Sequence, residues 1–201
     1  MIMGDRPLLI LASASPRRRD LLTQIGLPPD DIAPTDIDET PIKGELPRAL
    51  AARLAREKLG AAHHQGAYVL ASDTVVGVGR RDLPKTETRE EAEACLRLMS
   101  GRNHRVYTGV SVRAPDGREA HRIAETRIAF KRLSEPEIAD YLDSMEWQGK
   151  AGGYGIQGRA GAFIVSLQGS YTGVVGLPVY ETRQLLMGLG YPVCVSSSKN
   201  E

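Results

Sequence analysis

The chain has 201 residues, with 26 Lys and Arg against 25 Asp and Glu and a net charge of +1. At roughly 150 residues per domain that is one domain with at most a lobe added, long enough to bury a real core. The balanced charge excludes a broad polybasic surface for nucleic acid, two cysteines exclude a disulfide scaffold or a Cys-rich zinc site, and no apolar run approaches the ~18 residues of a bilayer span.

Met1-Ile2-Met3-Gly4-Asp5-Arg6 carries no signal-peptide core after its charge, so the cytoplasm is the expected compartment. Residues 8–12, Leu-Leu-Ile-Leu-Ala, read as a strand buried on both faces. A helix follows with full punctuation: Ser15 as N-cap, Pro16 at the first helical position and Gly26 past the end. The Ala-rich stretch 46–64, with Leu50 and Leu54 four apart, predicts a second helix. Residues 68–71 predict another buried strand, which runs into Ser72-Asp73-Thr74 and then Val75-Val76-Gly77-Val78. Thr88 and Glu91 form a capping box ahead of Ala92, Cys95, Leu96 and Met99, and Gly101 closes that helix. Alternation at Val106, Thr108, Val110 and Val112, a turn at Pro115-Asp116-Gly117 and alternation again at Ile128 and Phe130 predict an antiparallel hairpin. Ser134 and Glu137 make a second capping box before Ile138, Tyr141, Leu142 and Met145. A glycine-rich stretch over 149–161 leads to a strand over 162–167, a loop over 169–176 and a last helix over 178–189. The tail 196–201 reads as frayed. The order is α/β with an antiparallel portion, two lobes sharing one sheet.

The strongest local signal for chemistry is strand, Ser13-Ala14-Ser15-Pro16, Arg17-Arg18-Arg19, helix. A helix N-terminus offers unpaired N–H groups and hydroxyls to an anion. Arginines in a first turn oppose the helix dipole unless an anion sits among them. From this segment alone, a capped helix with solvated arginines and a phosphate site both stay open. Asp73 follows a buried strand, where open α/β sheets place ligand crevices, and could hold a metal or serve as a base toward water. Taken alone it reads as a turn-forming Asp, with Ser72 and Thr74 making local hydrogen bonds. Asp36, Asp38 and Glu39 form an acidic cluster that reads as a solvated loop and suits a hard cation such as Mg²⁺ only if it comes near Asp73. Lys58 extends the Leu50–Leu54 row to the edge of the buried face, where snorkelling and reaching a phosphate are the alternatives. Lys85 and Lys150 fall in loops, where surface exposure is the default.

Gly153-Tyr154-Gly155-Ile156-Gln157-Gly158 spells the dinucleotide pattern, but a helix and loop precede it and a strand follows, so the nicotinamide reading is rejected. Tyr154 and Gln157 could still bring this loop onto a flat ligand, Gln157 offering a donor and an acceptor. His63, His64, His104 and His121 have no zinc spacing. Cys95 and Trp147 read as core, and Cys194 as incidental.

Together these segments resemble the Maf family of nucleoside triphosphate pyrophosphatases from Leu8 to about Leu189. The matching motifs are Leu11-Ala12-Ser13-Ala14-Ser15-Pro16-Arg17-Arg18, Ala55-Arg56-Glu57-Lys58, Ser72-Asp73-Thr74-Val75-Val76, Leu98-Met99-Ser100-Gly101, Lys150-Ala151-Gly152-Gly153-Tyr154-Gly155-Ile156-Gln157-Gly158 and Val175-Gly176-Leu177-Pro178. The resemblance implies an elongated two-lobed mixed α/β sheet flanked by helices, similar to that of inosine triphosphate pyrophosphatases. It implies one domain over residues 1–201 with a nucleotide cleft between the lobes. It also implies that Asp73 activates water, that Ser13, Arg17, Arg18, Lys58 and Lys85 bind the triphosphate, and that Thr74 and Gln157 set base preference. Asp73 and Glu39 would hold a divalent cation, Mg²⁺ or Mn²⁺. The loop pattern resembles the branch acting on dTTP and UTP, not the branch hydrolysing 7-methyl-GTP. Two departures stand out: Lys85-Thr86 where Lys-Pro is common, and Glu146-Trp147 where Glu-Pro is frequent. The expected partner is a nucleoside triphosphate, with no nucleic acid and no membrane, and a homodimer is an expectation from the family. The rival reading is a regulator of cell-division arrest or septum formation, or a nucleotide sensor with little turnover.

Overall fold

The computed structural model describes residues 6–193; Cys194 and the tail 196–201 lie outside the described residues. One seven-stranded sheet carries the fold, in the order β2-β1-β3-β5-β6-β7 with β4 on β3. Its strands are β1 (Leu9–Leu11), β2 (Asp31–Ile32), β3 (Tyr68–Val78), β4 (Arg81–Leu83), β5 (Asn103–Arg113), β6 (Glu119–Phe130) and β7 (Ile164–Gln168). The helices are α1 (Pro16–Gln24), α2 (Pro47–Ala61), α3 (Arg89–Met99), α4 (Glu135–Asp143), α5 (Tyr171–Val175) and α6 (Val179–Gly188). β1 runs parallel to β2 and β3, and every other pairing is antiparallel. Among the described residues no helix is long and apolar enough to cross a membrane.

β3 differs from expectation in a way that matters. The stretch Ser72-Asp73-Thr74 does not end a strand; it lies in the middle of an eleven-residue one. Polar residues are tolerated there because β5 pairs the whole length from Val69 to Gly77. On the opposite edge β1 covers only Tyr68–Leu70 and β4 only Val76–Val78, so the centre of β3 borders a gap. The site opens at that gap.

Strand alternation sends Val69, Ala71, Asp73 and Val75 to the face covered by α2, and Leu70, Ser72, Thr74 and Val76 to the other. On the first face Leu59 packs with Val69 and Ala71, and Leu50, Ala51 and Leu54 with Val75. On the second face two cores form. One gathers Leu70, Val110 and Val112 with Leu21, Leu22, Leu185 and Leu186. The other gathers Val76, Val106, Ile128 and Phe130 with Cys95, Leu96, Met99, Tyr141 and Trp147. Ser72 and Thr74 fall between these cores, where aliphatic packing is interrupted.

Local expectations fare unevenly. Both capping boxes are present. Ser15 occupies the N-cap of α1 with Pro16 after it, but its side chain makes no cap bond; its N–H instead donates to Ser13 Oγ at 3.3 Å. The second helix stops at Ala61 rather than 64, with Ala62 already extended. Residues 159–163 form a 3₁₀ helix, which delays the following strand to Ile164. Within the expected loop 169–176 the Ser170 hydroxyl accepts the Gly173 N–H at 2.9 Å and caps the short helix α5.

Candidate functional site

The cleft at the β3 gap has a volume of about 410 Å³ and is walled by the loop and first turn of α1, Glu39, Lys58, the centre of β3, Lys85, the 149–157 loop and residues 174–176. That volume lies within the usual range for small-molecule sites.

Close approach of α2 sets its geometry. Gly109 on β5 is the register partner of Asp73, and a Cβ there would lie 2.4 Å from the Ala51 carbonyl oxygen. Without a side chain at Gly109, α2 settles onto the sheet, and Lys58, two turns beyond Ala51, arrives over Asp73. Lys58 therefore does not snorkel: it is 7% exposed, and its Nζ donates to Asp73 Oδ1 at 2.5 Å. The same ammonium lies 2.6 Å from Glu39 Oε1, and the second Glu39 oxygen accepts from Lys85. Asp73, Lys58, Glu39 and Lys85 thus form a chain of alternating charge. Burial pushes the Glu39 carboxyl up, but the hydrogen bonds and charges of Lys58 and Lys85 outweigh it and hold it below its ordinary value. Of the acidic cluster only Glu39 enters the cleft. Asp38 is exposed and accepts the Thr40 N–H at 2.9 Å, while Asp36 is exposed and outside the lining.

The α1 arginines split. Arg18 turns inward: its Nε donates to the Gly176 carbonyl at 2.8 Å and its Nη1 to Ser13 Oγ at 2.9 Å. Burial, the largest influence, lowers its pKa, with the Asp73 charge opposing. Ser72 Oγ donates to the same Gly176 carbonyl at 3.1 Å, so helix α1 and the sheet together hold the 174–176 wall. Thr74 Oγ1 accepts from Thr108 at 3.2 Å, and Thr108 also reaches the Gly173 carbonyl at 2.7 Å. Arg17 lines the cleft and makes no hydrogen bond or ion pair with the described residues.

Across the cleft, the 149–158 loop is built on backbone contacts. Gly149 N–H donates to the Thr86 carbonyl at 2.9 Å and Thr86 N–H to the Lys150 carbonyl at 3.2 Å, with Lys85 bridged to Ala151. Gly152 and Gly153 both have φ of +68°, a left-handed conformation that favours glycine, and they pass close to Val76 and Ala92. Tyr154 is buried, with its hydroxyl 2.8 Å from His104 Nε2 and its ring edge-on to Phe130. Gln157 is exposed at the cleft, and its amide makes no hydrogen bond with the described residues.

Every residue singled out for the site, Ser13, Arg17, Arg18, Glu39, Lys58, Asp73, Thr74, Lys85 and Gln157, lines this one cleft. Lys150 is a correction: its loop is not simply surface, and its side chain enters the cleft, where burial and then the Arg17 charge lower its pKa. Sequence reasoning also misses Thr35, whose buried hydroxyl, on the cleft wall, has no partner among the described residues. Nothing in a Pro34-Thr35 loop marks it in sequence. Among the described residues no group of three or more His, Cys, Asp or Glu gathers as a metal site.

Fold and site together define an α/β protein with a cationic crevice at a helix N-terminus, sized for a phosphorylated small molecule. Residues 8–189 match the family described as Maf-like protein, and the chain belongs to it. It is 66% identical to the dTTP/UTP pyrophosphatase of Maricaulis maris over 191 residues, covering 94% of this chain and 91% of that protein. It is 60% identical to the dTTP/UTP pyrophosphatase of Caulobacter vibrioides, covering 94% and 99%. Among solved structures, the Staphylococcus aureus Ham1 protein overlaps loosely, with a TM-score of 0.42 and 16% identity over 61% of this chain and 71% of that one.

Proposed function

We propose that the protein hydrolyses dTTP and UTP to the nucleoside monophosphate and pyrophosphate, in a cleft between two lobes of one domain. One observation carries this reading beyond the relatives' names. A buried carboxylate, Asp73, is held by Lys58 in the same cleft as the unpartnered Arg17 and the Lys85 ammonium.

Water attacks the α-phosphorus, the α–β anhydride breaks, and the water oxygen stays on the monophosphate. Asp73 takes the proton of that water, and the Lys58 hydrogen bond fixes which way its carboxylate faces. Arg17, Lys58 and Lys85 hold the triphosphate, and Arg18 reaches it with Nη2, its Nε and Nη1 being committed to Gly176 and Ser13. Ser13 lines the same end. Positioning and charge neutralisation are the main demands of such a transfer. Gln157 and Thr74 face the base.

Asp73 and Glu39 stand on either side of the Lys58 ammonium, a cation already seated between two carboxylates. One or two carboxylates plus substrate phosphates is the usual donor set of Mg²⁺, so these residues fit Mg²⁺ or Mn²⁺ arriving with the triphosphate. When bound, such an ion neutralises charge on the phosphoryl oxygens. Pyrophosphate release from a panel of triphosphates with Mg²⁺ tests the reading: dTTP and UTP should lead, and no release from any triphosphate sinks it.

A further inference from the structure

Among the described residues, Lys150 is the one cleft lysine with no carboxylate on its ammonium. Lys58 sits on Asp73 and Glu39, and Lys85 on Glu39, whereas Lys150 Nζ donates to a neutral acceptor, the Glu146 backbone carbonyl. Its backbone is fixed on both sides: its N–H donates to Trp147 at 3.1 Å, and its carbonyl accepts from Thr86 and from Gly153 at 2.9 Å. Its stem lies against the loop glycine. The position a Gly155 Cβ would take is 3.0 Å from Lys150 Cε and 3.3 Å from Gln157 Nε2, so the ammonium stem and the free amide stand side by side. A side chain at Gly155 would separate them.

Resting on the function proposed above, we propose that Lys150 is a specificity-determining residue that donates to the O4 carbonyl of the uracil or thymine ring. An ammonium carries three donors and no acceptor, and only one donor is spent on Glu146. Uracil and thymine share a carbonyl at C4 and an N3–H; cytosine presents an amino group at C4 and a bare N3. Lys150 therefore accepts the first pair and rejects the third base, and the neighbouring Gln157 carbonyl can accept the N3–H. A donor aimed at a carbonyl discriminates strongly, because an amino group there leaves both partners unpaired.

The test compares kcat/KM for UTP, dTTP and CTP in the wild type, Lys150→Met and Lys150→Arg, with tripolyphosphate inhibition measured beside them. Lys150→Met keeps the stem and removes the donors. Its UTP-to-CTP ratio should fall at least tenfold, tripolyphosphate inhibition should stay within twofold, and Lys150→Arg should recover part of the ratio. Equal losses on UTP and CTP with weakened tripolyphosphate inhibition would place Lys150 on phosphate and overturn the inference, as would an unaltered ratio. The wild type alone supplies a second arm if the variant does not fold. 4-Thio-UTP, whose sulfur is a poor acceptor, should be turned over at least fivefold less efficiently than UTP, and parity overturns the inference. A wild type that releases no pyrophosphate from UTP overturns the proposed reaction itself. Failure of the ratio alone leaves that reaction standing.

Discussion

The two ends of the cleft are held by different physics. At one end Asp73, Lys58, Glu39 and Lys85 neutralise one another in a chain of ion pairs. At the other, the 149–158 loop is fixed by backbone hydrogen bonds, left-handed glycines and the buried Tyr154, and presents groups whose partners are neutral or absent. The ionic end can exchange a carboxylate for a phosphate without a net loss of pairing, because Glu39 already occupies lysine donors that a triphosphate would take. Under the proposed function that end answers to the phosphates' charge and not to the base. The packed end cannot rearrange without breaking contacts to Val76, Ala92 and Phe130, and under the proposed function it is the end that meets the base.

The largest effect should follow from Asp73→Asn. Losing a general base costs about 10²–10⁴ in rate. The amide keeps the shape and an acceptor for Lys58, and Glu39 remains as counter-charge, so the melting temperature should barely move. Hydrolysis of UTP at the wild-type rate would show that Asp73 is not the base. Next, Arg17→Ala and Lys85→Ala should each lose about 1.5–3 kcal/mol of binding and transition-state stabilisation, roughly ten- to a hundredfold in kcat/KM. The loss should be shared by every triphosphate. Arg17 has no partner to lose among the described residues, so its removal should cost activity without stability. A loss confined to one base would break the division between the ends.

The same division explains what could be read from the sequence. Apolar runs, capping boxes and the hairpin turn are local, and the strands and helices they predict are present. The sequence points to a strand end at Asp73 because Ser72-Asp73-Thr74 interrupts the apolar pattern. Only the tertiary pairing with β5 keeps the strand going through it. Spacing within the acidic cluster does not separate Glu39 from Asp36 and Asp38; what physically selects it is Lys58, reached through α2 and the missing side chain of Gly109. Arg18 and Arg17 are neighbours of one type in one turn. Their difference depends on Gly176, 158 residues away. Lys150 reads as surface in the sequence for the same reason: loops carry no periodicity to show which side chain turns inward.

A smaller effect is expected at Gln157. Gln157→Glu places a carboxylate beside the bound ring, where it repels the pyrimidine carbonyls and favours a positively charged methylated guanine. kcat/KM for UTP should fall, and its ratio to that for 7-methyl-GTP should shift about tenfold toward the latter. Equal proportional losses on both substrates would mean that Gln157 only braces the loop.

The smallest effect concerns how the packed end responds to acid. His104 lies behind Tyr154 among Phe130 and the loop, 2% exposed, and burial pushes its pKa from 6.5 down to about 4. The unfolded chain therefore binds a proton at His104 before the folded one does. The stability that neutral His104 contributes is whole above pH 6.5 and is lost as pH falls toward 4. From pH 7 to 5.5 that loss is on the order of 1 kcal/mol, a drop of about 2–4 °C in Tm for a chain of this size. Glu39, held below its ordinary value by two lysines, stays ionised over the same interval, so the ionic end does not share the loss. His104→Gln keeps a polar partner for the Tyr154 hydroxyl but does not titrate. Melts of both proteins at pH 7 and 5.5 decide the point: the wild type should lose more than the variant. Identical drops would show that the acid-sensitive element lies elsewhere than behind the 149–158 loop.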